Sequence, residues 1–325
     1  MNYRKFGNTA LQVSEIGFGA WAIGGDAVVG NTPIGWGPAD DDVSAAAIRA
    51  ALDAGINFFD TADFYGLGHS EVLLGKYLPN DAIIATKVGH RSINNAITLD
   101  YSAEYIMQAC EASLKRLNRD VIDYYQLHSA RLAHLQNGEC IRAMETLKQQ
   151  GKIRYWGLSL NTFAPAPEAV WMMEHKVGDG FQLVFNLINQ RAYDVMQQAA
   201  QNGYGIIARM PLQFGLLTGK IASYTSFAAS DHRSFRLTPE IIQQTRDILE
   251  EKAGMVAEEE NLEPAALALS FILSCKEIST VIPGIRTPQH VKQNTTGLKQ
   301  LTPQSMDVLL SIDWTPVVAL MEKQG

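Results

Sequence analysis

Residues 55–66 read Gly55-Ile56-Asn57-Phe58-Phe59-Asp60-Thr61-Ala62-Asp63-Phe64-Tyr65-Gly66. The stretch opens with a glycine after an alanine-rich segment, which is a typical helix stop. Asn57–Asp60 is short and largely apolar, which predicts a strand buried on both faces. The strand ends on Asp60, and Tyr65 follows in the loop. A buried strand that ends on a carboxylate, with a phenol just beyond it, is the pattern that the rest of the chain extends.

Short apolar runs alternate with amphipathic segments along the whole chain. The predicted strands are Val13–Gly19, Asn57–Asp60, Ile83–Lys87, Val121–His128, Tyr155–Ser159, Phe181–Phe185, Gly205–Arg209 and Thr280–Pro283. Apolar residues at helical spacing predict helices between them: Asp41–Asp53, Ser102–Leu117, Glu139–Gln150, Tyr193–Asn202, Pro239–Glu260 and Pro264–Ser274. Eight such units predict an α/β protein, a closed (β/α)8 TIM barrel formed by residues 1–325 as a single domain.

Composition limits the classes of partner. The chain has 325 residues and a formal charge of -7, which disfavours nucleic acid or an anionic membrane as the main partner. Its three cysteines show no paired spacing, and no apolar run approaches the roughly 18–20 residues that span a bilayer. Residues 1–9 lack the apolar core of a signal peptide. We therefore expect a cytoplasmic protein that acts on small molecules, and we assign no metal ligands and no oligomeric state.

Two stretches break the strand–helix alternation, at about residues 20–40 and 213–238. The first is rich in Gly and Pro and contains Trp36, and the second is polar and contains His232, Arg233 and Arg236. Both follow the carboxyl ends of predicted strands, the face where barrel enzymes carry out their chemistry. We expect both to be functional loops over that face.

Three predicted strands end on chemically active side chains: Asp60, Lys87 and His128. In a barrel these ends converge beside Tyr65. A phenol is a weak acid at neutral pH, and a nearby ammonium lowers its pKa. A buried lysine needs a counter-charge, which Asp60 supplies, and an imidazole can orient a substrate oxygen. Together these groups predict proton delivery to a carbonyl, with the hydride coming from a cofactor because no side chain supplies one.

The quoted stretch, followed by His69-Ser70-Glu71 and Leu74-Gly75, resembles the signature of the aldo-keto reductases. The resemblance runs from Leu11 to Asn294 and is to the branch of bacterial and plant reductases and potassium-channel β-subunits. It implies a barrel that binds NADPH or NADP+ without a Rossmann domain, with NADH less favoured. It also implies that Tyr65 is the general acid, that Lys87 and Asp60 tune it, and that His128 orients the substrate.

The resemblance also implies which residues contact the cofactor, wherever a motif of this chain matches one of the family. Ser159 and Gln182 resemble the pair that binds the nicotinamide carboxamide, and residues 209–220 resemble the segment around the nicotinamide and pyrophosphate. Residues 283–294 resemble the adenosine-phosphate segment, with Arg286 placed for the 2′-phosphate. The full set of expected cofactor contacts is Trp21, Ser159, Gln182, Arg209, Pro211, Leu212, Gln213, Lys220, Arg233, Gly284, Arg286, Gln293 and Asn294. Trp36 and Ser129 are candidates for substrate contact.

The chain departs from the family pattern in places. Arg209 replaces the usual aromatic residue, so its guanidinium either stacks on the nicotinamide or bonds beside it. Leu160 replaces a common polar contact. The residues predict a reductase of small aldehydes or ketones, or a dehydrogenase of the matching alcohols or sugars. An NADPH-binding regulatory subunit with little turnover, and an aldolase that forms a Schiff base on Lys87, remain as alternatives.

Overall fold

The computed structural model describes residues 1–222, 224–228 and 231–324. Eight parallel strands form one sheet in which neighbours in the chain are neighbours in space. They are β1 Phe18–Gly19, β2 Phe58–Asp60, β3 Ile83–Val88, β4 Ile122–His128, β5 Ile153–Ser159, β6 Gly180–Val184, β7 Gly205–Arg209 and β8 Thr280–Ile282. Parallel bridges from Ile16 to Val281 and from Gly19 to Gly284 bring the first and last strands together. The prediction of a TIM barrel is confirmed.

The predicted first strand, Val13–Gly19, is wrong in extent. Only its last two residues form the barrel strand, with Ile16 adding an isolated bridge, while Gln12–Ser14 pairs with Tyr3–Lys5 in a separate antiparallel hairpin. This hairpin leads into the buried ring of Phe6 at the amino-terminal end of the barrel. The Phe6 ring lies 4.9 Å from the ring of Tyr124, and a Cβ on Gly205 would come within 2.5 Å of it. The bottom of the barrel is therefore a packed core.

Fourteen α-helical segments surround the sheet in the part of the chain that is described. They are α1 Asp41–Asp53, α2 His69–Tyr77, α3 Ala103–Leu117, α4 Leu132–Asn137, α5 Glu139–Gln149, α6 Ala166–His175, α7 Tyr193–Gln201, α8 Arg233–Arg236, α9 Pro239–Ile248, α10 Gly254–Glu260, α11 Pro264–Leu273, α12 Pro288–Thr295, α13 Pro303–Leu310 and α14 Thr315–Gln324. Within the described ranges, no helix is both long and apolar enough to cross a membrane.

Several helices differ from the predicted ones. The predicted helix Pro239–Glu260 becomes α9 and α10, joined by one π-helical turn at Leu249–Ala253. α2 contains Gly75, which sequence patterns disfavour in a helix. That glycine is required because a Cβ there would lie 2.3 Å from the carbonyl oxygen of Arg116 on α3. The helices α2, α4, α6, α8 and α14 were not predicted.

The two long loops both contain short regular elements. A hairpin of Val28–Val29 and Thr32–Pro33 lies in the first, and α8 lies in the second. An antiparallel bridge between Trp36 and Asp231 links the two loops. Both loops therefore meet at the carboxyl ends of the strands.

Candidate active site

Lys87 lies at the centre of a polar cluster at the carboxyl ends of the barrel strands. The Lys87 Nζ donates to Asp60 Oδ2 at 2.6 Å, to the carbonyl oxygen of Thr61 at 2.7 Å and to the hydroxyl of Tyr65 at 3.3 Å. Its side chain is fully buried, so all three ammonium protons have partners inside the protein. Asp60 and Tyr65, which the sequence singled out together with Lys87, therefore both contact Lys87 directly.

The second oxygen of Asp60 is fixed by two amides. Gln126 and Gln182 donate their Nε2 groups to Asp60 Oδ1 at 3.1 and 2.7 Å. Both glutamines lie on barrel strands and are buried. The carboxylate therefore has a fixed orientation, and it holds Lys87 in turn.

Burial and charge act in opposite directions on the pKa of Tyr65. Burial raises this pKa above its ordinary value, while the neighbouring Lys87 ammonium lowers it. Burial is the larger effect, so the net pKa of Tyr65 is raised. The expectation that Lys87 lowers this pKa is correct for the Lys87–Tyr65 interaction, but burial outweighs that interaction. Burial also disfavours the charge of Lys87, but Asp60 and Tyr65 outweigh it and raise the pKa of Lys87. Lys87 therefore remains an ammonium beside a neutral phenol at neutral pH.

His128 and a second imidazole, His90, form one wall beside Tyr65. The His128 ring is edge-on to the Tyr65 ring with centroids 6.0 Å apart, and His90 is edge-on to His128 at 4.3 Å. Burial, followed by the charge of Lys87, lowers the pKa of His90 to about 4. Burial also holds the pKa of His128 well below its usual range, with His90 and Lys87 adding to the effect. Both rings are therefore neutral at neutral pH.

Aromatic rings cover the other side of Tyr65. Trp21 stacks on Tyr65 with ring centroids 5.7 Å apart, and His232 stacks on Trp21 at 4.6 Å. Trp36 lies edge-on to both Trp21 and His232. The cover is close because the backbones of Gly24 and Gly66 touch, and a Cβ on Gly24 would lie 2.8 Å from the Gly66 nitrogen.

One large cavity connects these groups to the rest of the predicted site. It encloses about 1480 Å³ and runs from Tyr65 and His128 to Arg286 and Asn294. All the predicted catalytic, cofactor and substrate residues line it except Lys87, which lies behind Tyr65 and Asp60 with no exposed surface. The structure thus brings the predicted residues to one continuous surface.

The guanidinium of Arg209 is held by hydrogen bonds to neighbouring groups of the protein. Its Nη2 donates to the carbonyl oxygen of Leu160 and to Thr162 Oγ1, each at 3.1 Å, and its Nη1 approaches Met210 Sδ at 3.2 Å. The side chain of Leu160 is buried and points away from the cavity, so only its backbone takes part. Of the two arrangements expected for Arg209, bonding beside the ring is the one that this geometry favours.

Residues of the two loops hold each other over the cavity. Arg233 forms a bidentate pair with Asp231, with its Nη2 2.6 Å from Asp231 Oδ2, and its guanidinium lies 5.0 Å from the Trp36 ring centroid. Arg286 Nη1 donates to the carbonyl oxygen of Trp36 at 3.3 Å. Trp36 was expected to contact substrate, but here its neighbours belong to the cofactor segments.

The far end of the cavity is built at the start of α12. Thr287 caps this helix by accepting a hydrogen bond from the His290 nitrogen at 3.2 Å. A Cβ placed on Gly284 would meet nothing within 4 Å, so the backbone there is open to the cavity. A helix N-terminus beside Arg286 suits a phosphate group. Together with Ser159 and Gln182 at the other end, this arrangement fits a long anionic dinucleotide.

Sequence reasoning gave no site role to several cavity residues. His232 and Arg236 were placed only in a functional loop, and His90 and the tail residues Met321 and Gln324 were not singled out, yet all five line the cavity. His90 follows Lys87 by three residues, and Gly89 at φ 135° turns the chain between them, so a glycine just after a functional strand end was an available signal. The position of His232 depends on how its loop folds back, for which a single sequence gives no signal.

Comparison with known proteins identifies the family. The model of the "Aldo/keto reductase family" matches residues 15–313. The chain belongs to the aldo/keto reductase family. Members of this family are oxidoreductases that bind nicotinamide cofactors and act on small carbonyl or alcohol substrates.

Named relatives cover nearly the whole of this aldo/keto reductase. It is 29% identical to L-galactose dehydrogenase of Arabidopsis thaliana over 318 residues, with 94% of this chain and 90% of the relative covered. It is 26% identical to a probable voltage-gated potassium channel subunit beta of Oryza sativa subsp. japonica, covering 96% of both chains. The solved glycerol dehydrogenase AKR11B4 from Gluconobacter oxydans superposes with a TM-score of 0.77 at 29% identity, covering 96% of this chain and 94% of that one.

Proposed function

We propose that this aldo/keto reductase is an NADPH-dependent enzyme that interconverts small aldehydes or ketones and their alcohols, with Tyr65 as the general acid and base. The observation that carries the proposal is the Lys87 ammonium, which contacts both the Asp60 carboxylate and the Tyr65 hydroxyl on the cavity floor. A buried Lys–Asp pair adds little to the net stability of a protein, so its contact with a cavity-facing phenol favours a role in proton transfer.

The cofactor supplies the hydride, and the residues of this chain handle the proton. In the direction of reduction, the carbonyl oxygen accepts the Tyr65 proton while Lys87 stabilises the phenolate that remains. His128, neutral and adjacent, orients the oxygen, and Trp21 excludes water from the phenol on the opposite side. In the direction of oxidation, Tyr65 must first give up its own proton. The phenolate, stabilised by Lys87, then takes the proton of the alcohol.

We assign the cofactor ends from the same cavity. Ser159 and Gln182 would hold the carboxamide, since they are paired between the adjacent strands β5 and β6 and offer donors and acceptors. Arg286 and the start of α12 would hold the 2′-phosphate. Arg233, with Trp36, would close over the pyrophosphate, which moves Trp36 from the proposed substrate set to the cofactor set.

The cavity wall offers hydrogen-bonding groups to a hydroxylated substrate. Besides apolar side chains such as Phe64 and Phe163, the lining includes His90, Ser129, Arg131, Asn161 and Thr162. Two of the relatives are named as dehydrogenases of L-galactose and of glycerol. We therefore propose polyols, sugars or the matching aldehydes as the substrate class.

The test is the change in NADPH absorbance when the purified protein is given a panel of carbonyl compounds, from nitrobenzaldehyde to hydroxylated aldehydes. The reverse panel uses NADP+ with polyols and aldoses. Turnover with hydroxylated compounds that exceeds turnover with nitrobenzaldehyde supports the substrate class. Absence of turnover in both directions, with cofactor still bound, argues against an enzyme.

That last outcome would favour a second function, a cofactor-binding regulatory subunit. The specific observation for it is the similarity to a probable potassium channel subunit. A Schiff-base aldolase is disfavoured because Lys87 Nζ is buried and all its protons are bonded. Trapping of a lysine adduct by borohydride, without any nicotinamide, would revive that alternative.

A further inference from the structure

Arg209 is a half-buried cation without a carboxylate partner among the residues that the structure describes. The groups that it contacts are a carbonyl oxygen, a hydroxyl and a thioether, all of them neutral. Its Nε is buried and has no partner. An arginine side chain keeps its charge even when buried. The charge of Arg209 is therefore not compensated by its contacts.

The nearest ionised groups do not change this conclusion. Asp60 is already bonded to Lys87 and to two glutamine amides. The other neighbour of Arg209 is a second guanidinium, Arg236, which lies over the Phe214 ring and whose Nε also has no partner. The cavity wall around Arg209 is therefore positive where it faces the ligand.

The hydride-donating ring must come close to this charge, an inference that rests on the proposed function. Hydride transfer requires the reacting atoms to approach within about 3–3.5 Å, at a carbonyl whose oxygen contacts Tyr65. Ser159 and Gln182 are paired between β5 and β6, and Arg209 ends the adjacent strand β7. A ring held by the first two residues and reaching toward Tyr65 would lie beside the guanidinium.

We propose that Arg209 makes the site bind the reduced cofactor in preference to the oxidised one, and so shifts the equilibrium between the enzyme-bound species toward alcohol oxidation. The oxidised nicotinamide ring carries a positive charge and the reduced ring is neutral, so a neighbouring cation destabilises only the oxidised form. In the favoured direction the carbinol carbon gives its hydride, with both electrons, to the NADP+ ring. Tyr65 first gives its own proton to solvent and is held as the phenolate by Lys87; the hydroxyl proton of the alcohol then passes to that phenolate, leaving the carbonyl product.

The effect acts on the bound species and leaves the overall equilibrium unchanged. Unit charges about 4 Å apart shift a binding ratio by roughly fivefold at the dielectric constant of water and by about a thousandfold at an effective value of about 20, so an effect of roughly tenfold or more is expected at a partly exposed site. A guanidinium that only held the carboxamide would instead bind both forms equally, since that group is the same in both.

The test measures the Kd of NADPH and of NADP+ by calorimetric titration, without any substrate. Arg209→Met removes the charge and keeps a side chain of similar reach, while Arg209→Lys keeps the charge and loses the planar fork. We expect wild type to prefer NADPH, Arg209→Met to reduce that preference on the order of tenfold, and Arg209→Lys to retain it. Thermal melting of each variant verifies that it is folded.

The outcomes separate this proposal from the function on which it rests. If Arg209→Met weakens both forms equally, or if wild type binds NADP+ as tightly as NADPH, the charge effect is refuted while the cofactor site stands. If wild type binds neither form, the proposed function and this inference fall together. Should Arg209→Met not fold, the wild-type ratio and Arg209→Lys still decide: a wild-type preference that Arg209→Lys loses also refutes a pure charge effect.

Discussion

The Lys87 ammonium lies 2.6 Å from the Asp60 carboxylate, and both side chains are almost completely buried. An ion pair at this depth gains little net stability, because desolvation of the two charges offsets their attraction. Removing one member is different, since the other then remains charged without a partner. Substitution of one or both members of the pair therefore measures how strongly Asp60 and Lys87 are coupled in the folded protein.

Asp60→Asn should lower the free energy of unfolding by about 3–5 kcal/mol, because it leaves the Lys87 ammonium buried without a counter-charge. Urea unfolding of the purified variant measures the loss. The double variant Asp60→Asn with Lys87→Met should recover much of it, since no buried charge then remains. If the two substitutions are simply additive, the pair does not couple in the folded protein.

Tyr65→Phe should lower kcat for carbonyl reduction by about 10²–10⁴-fold, the usual contribution of a positioned general acid. The affinity for NADPH, measured by titration, should stay close to that of wild type because the ring is retained. Tyr155→Phe is the matched control, since its hydroxyl contacts the Ala10 nitrogen at the opposite end of the barrel. Wild-type turnover by Tyr65→Phe would show that another group delivers the proton.

The neutral imidazoles predict a pH dependence of stability. Burial, with Lys87, lowers the pKa of His90 in the folded protein to about 4, whereas in the unfolded chain the pKa is near 6.5. Between these values the unfolded state binds more protons, so the free energy of unfolding rises with pH. The contribution is complete above about pH 6.5 and is lost as the pH falls toward 4.

Urea titrations at pH 5 and pH 7 test this, with a slope of up to about 1.4 kcal/mol per pH unit for each such histidine. His128, which burial shifts in the same direction, contributes alongside. His90→Asn should flatten the pH dependence, and the surface variant His175→Asn should leave it as in wild type. An unchanged slope in His90→Asn would mean that this ring is accessible to protons in the folded state.

The barrel and the catalytic cluster were predictable because their signals are local. Short apolar runs mark the buried strands, and parallel topology then brings Asp60, Lys87 and His128 to one end without further information. Phe58–Asp60 and Gly205–Arg209 appear as strands almost where the sequence placed them. The first strand failed because an apolar run at the start of the chain was read as one element, whereas its beginning pairs with residues 3–5.

The loop residues that cover the site were not predictable, because their positions depend on contacts between residues far apart in the sequence. His232 reaches Trp21 only because its loop folds back across the cavity, and that path depends on long-range contacts such as the bridge between Trp36 and Asp231. The direction of the Arg209 side chain depends on its surroundings as well, including Met210 at a φ of 55°. Such positive-φ geometry in a non-glycine residue has no sequence signal.

Arg286 gives the sharpest test of cofactor choice. Its guanidinium donates to the Trp36 carbonyl oxygen at 3.3 Å beside the start of α12, a position that suits the 2′-phosphate found in NADPH and absent from NADH. Arg286→Ala should weaken NADPH by about 1.5–3 kcal/mol, roughly ten- to hundredfold in Kd, because a charge-assisted hydrogen bond is lost. NADH should be affected far less, whereas Arg233→Ala should weaken both cofactors alike, since the pyrophosphate is common to them. Fluorescence titration with each cofactor decides the matter, and equal weakening of NADPH and NADH by Arg286→Ala would place the 2′-phosphate elsewhere.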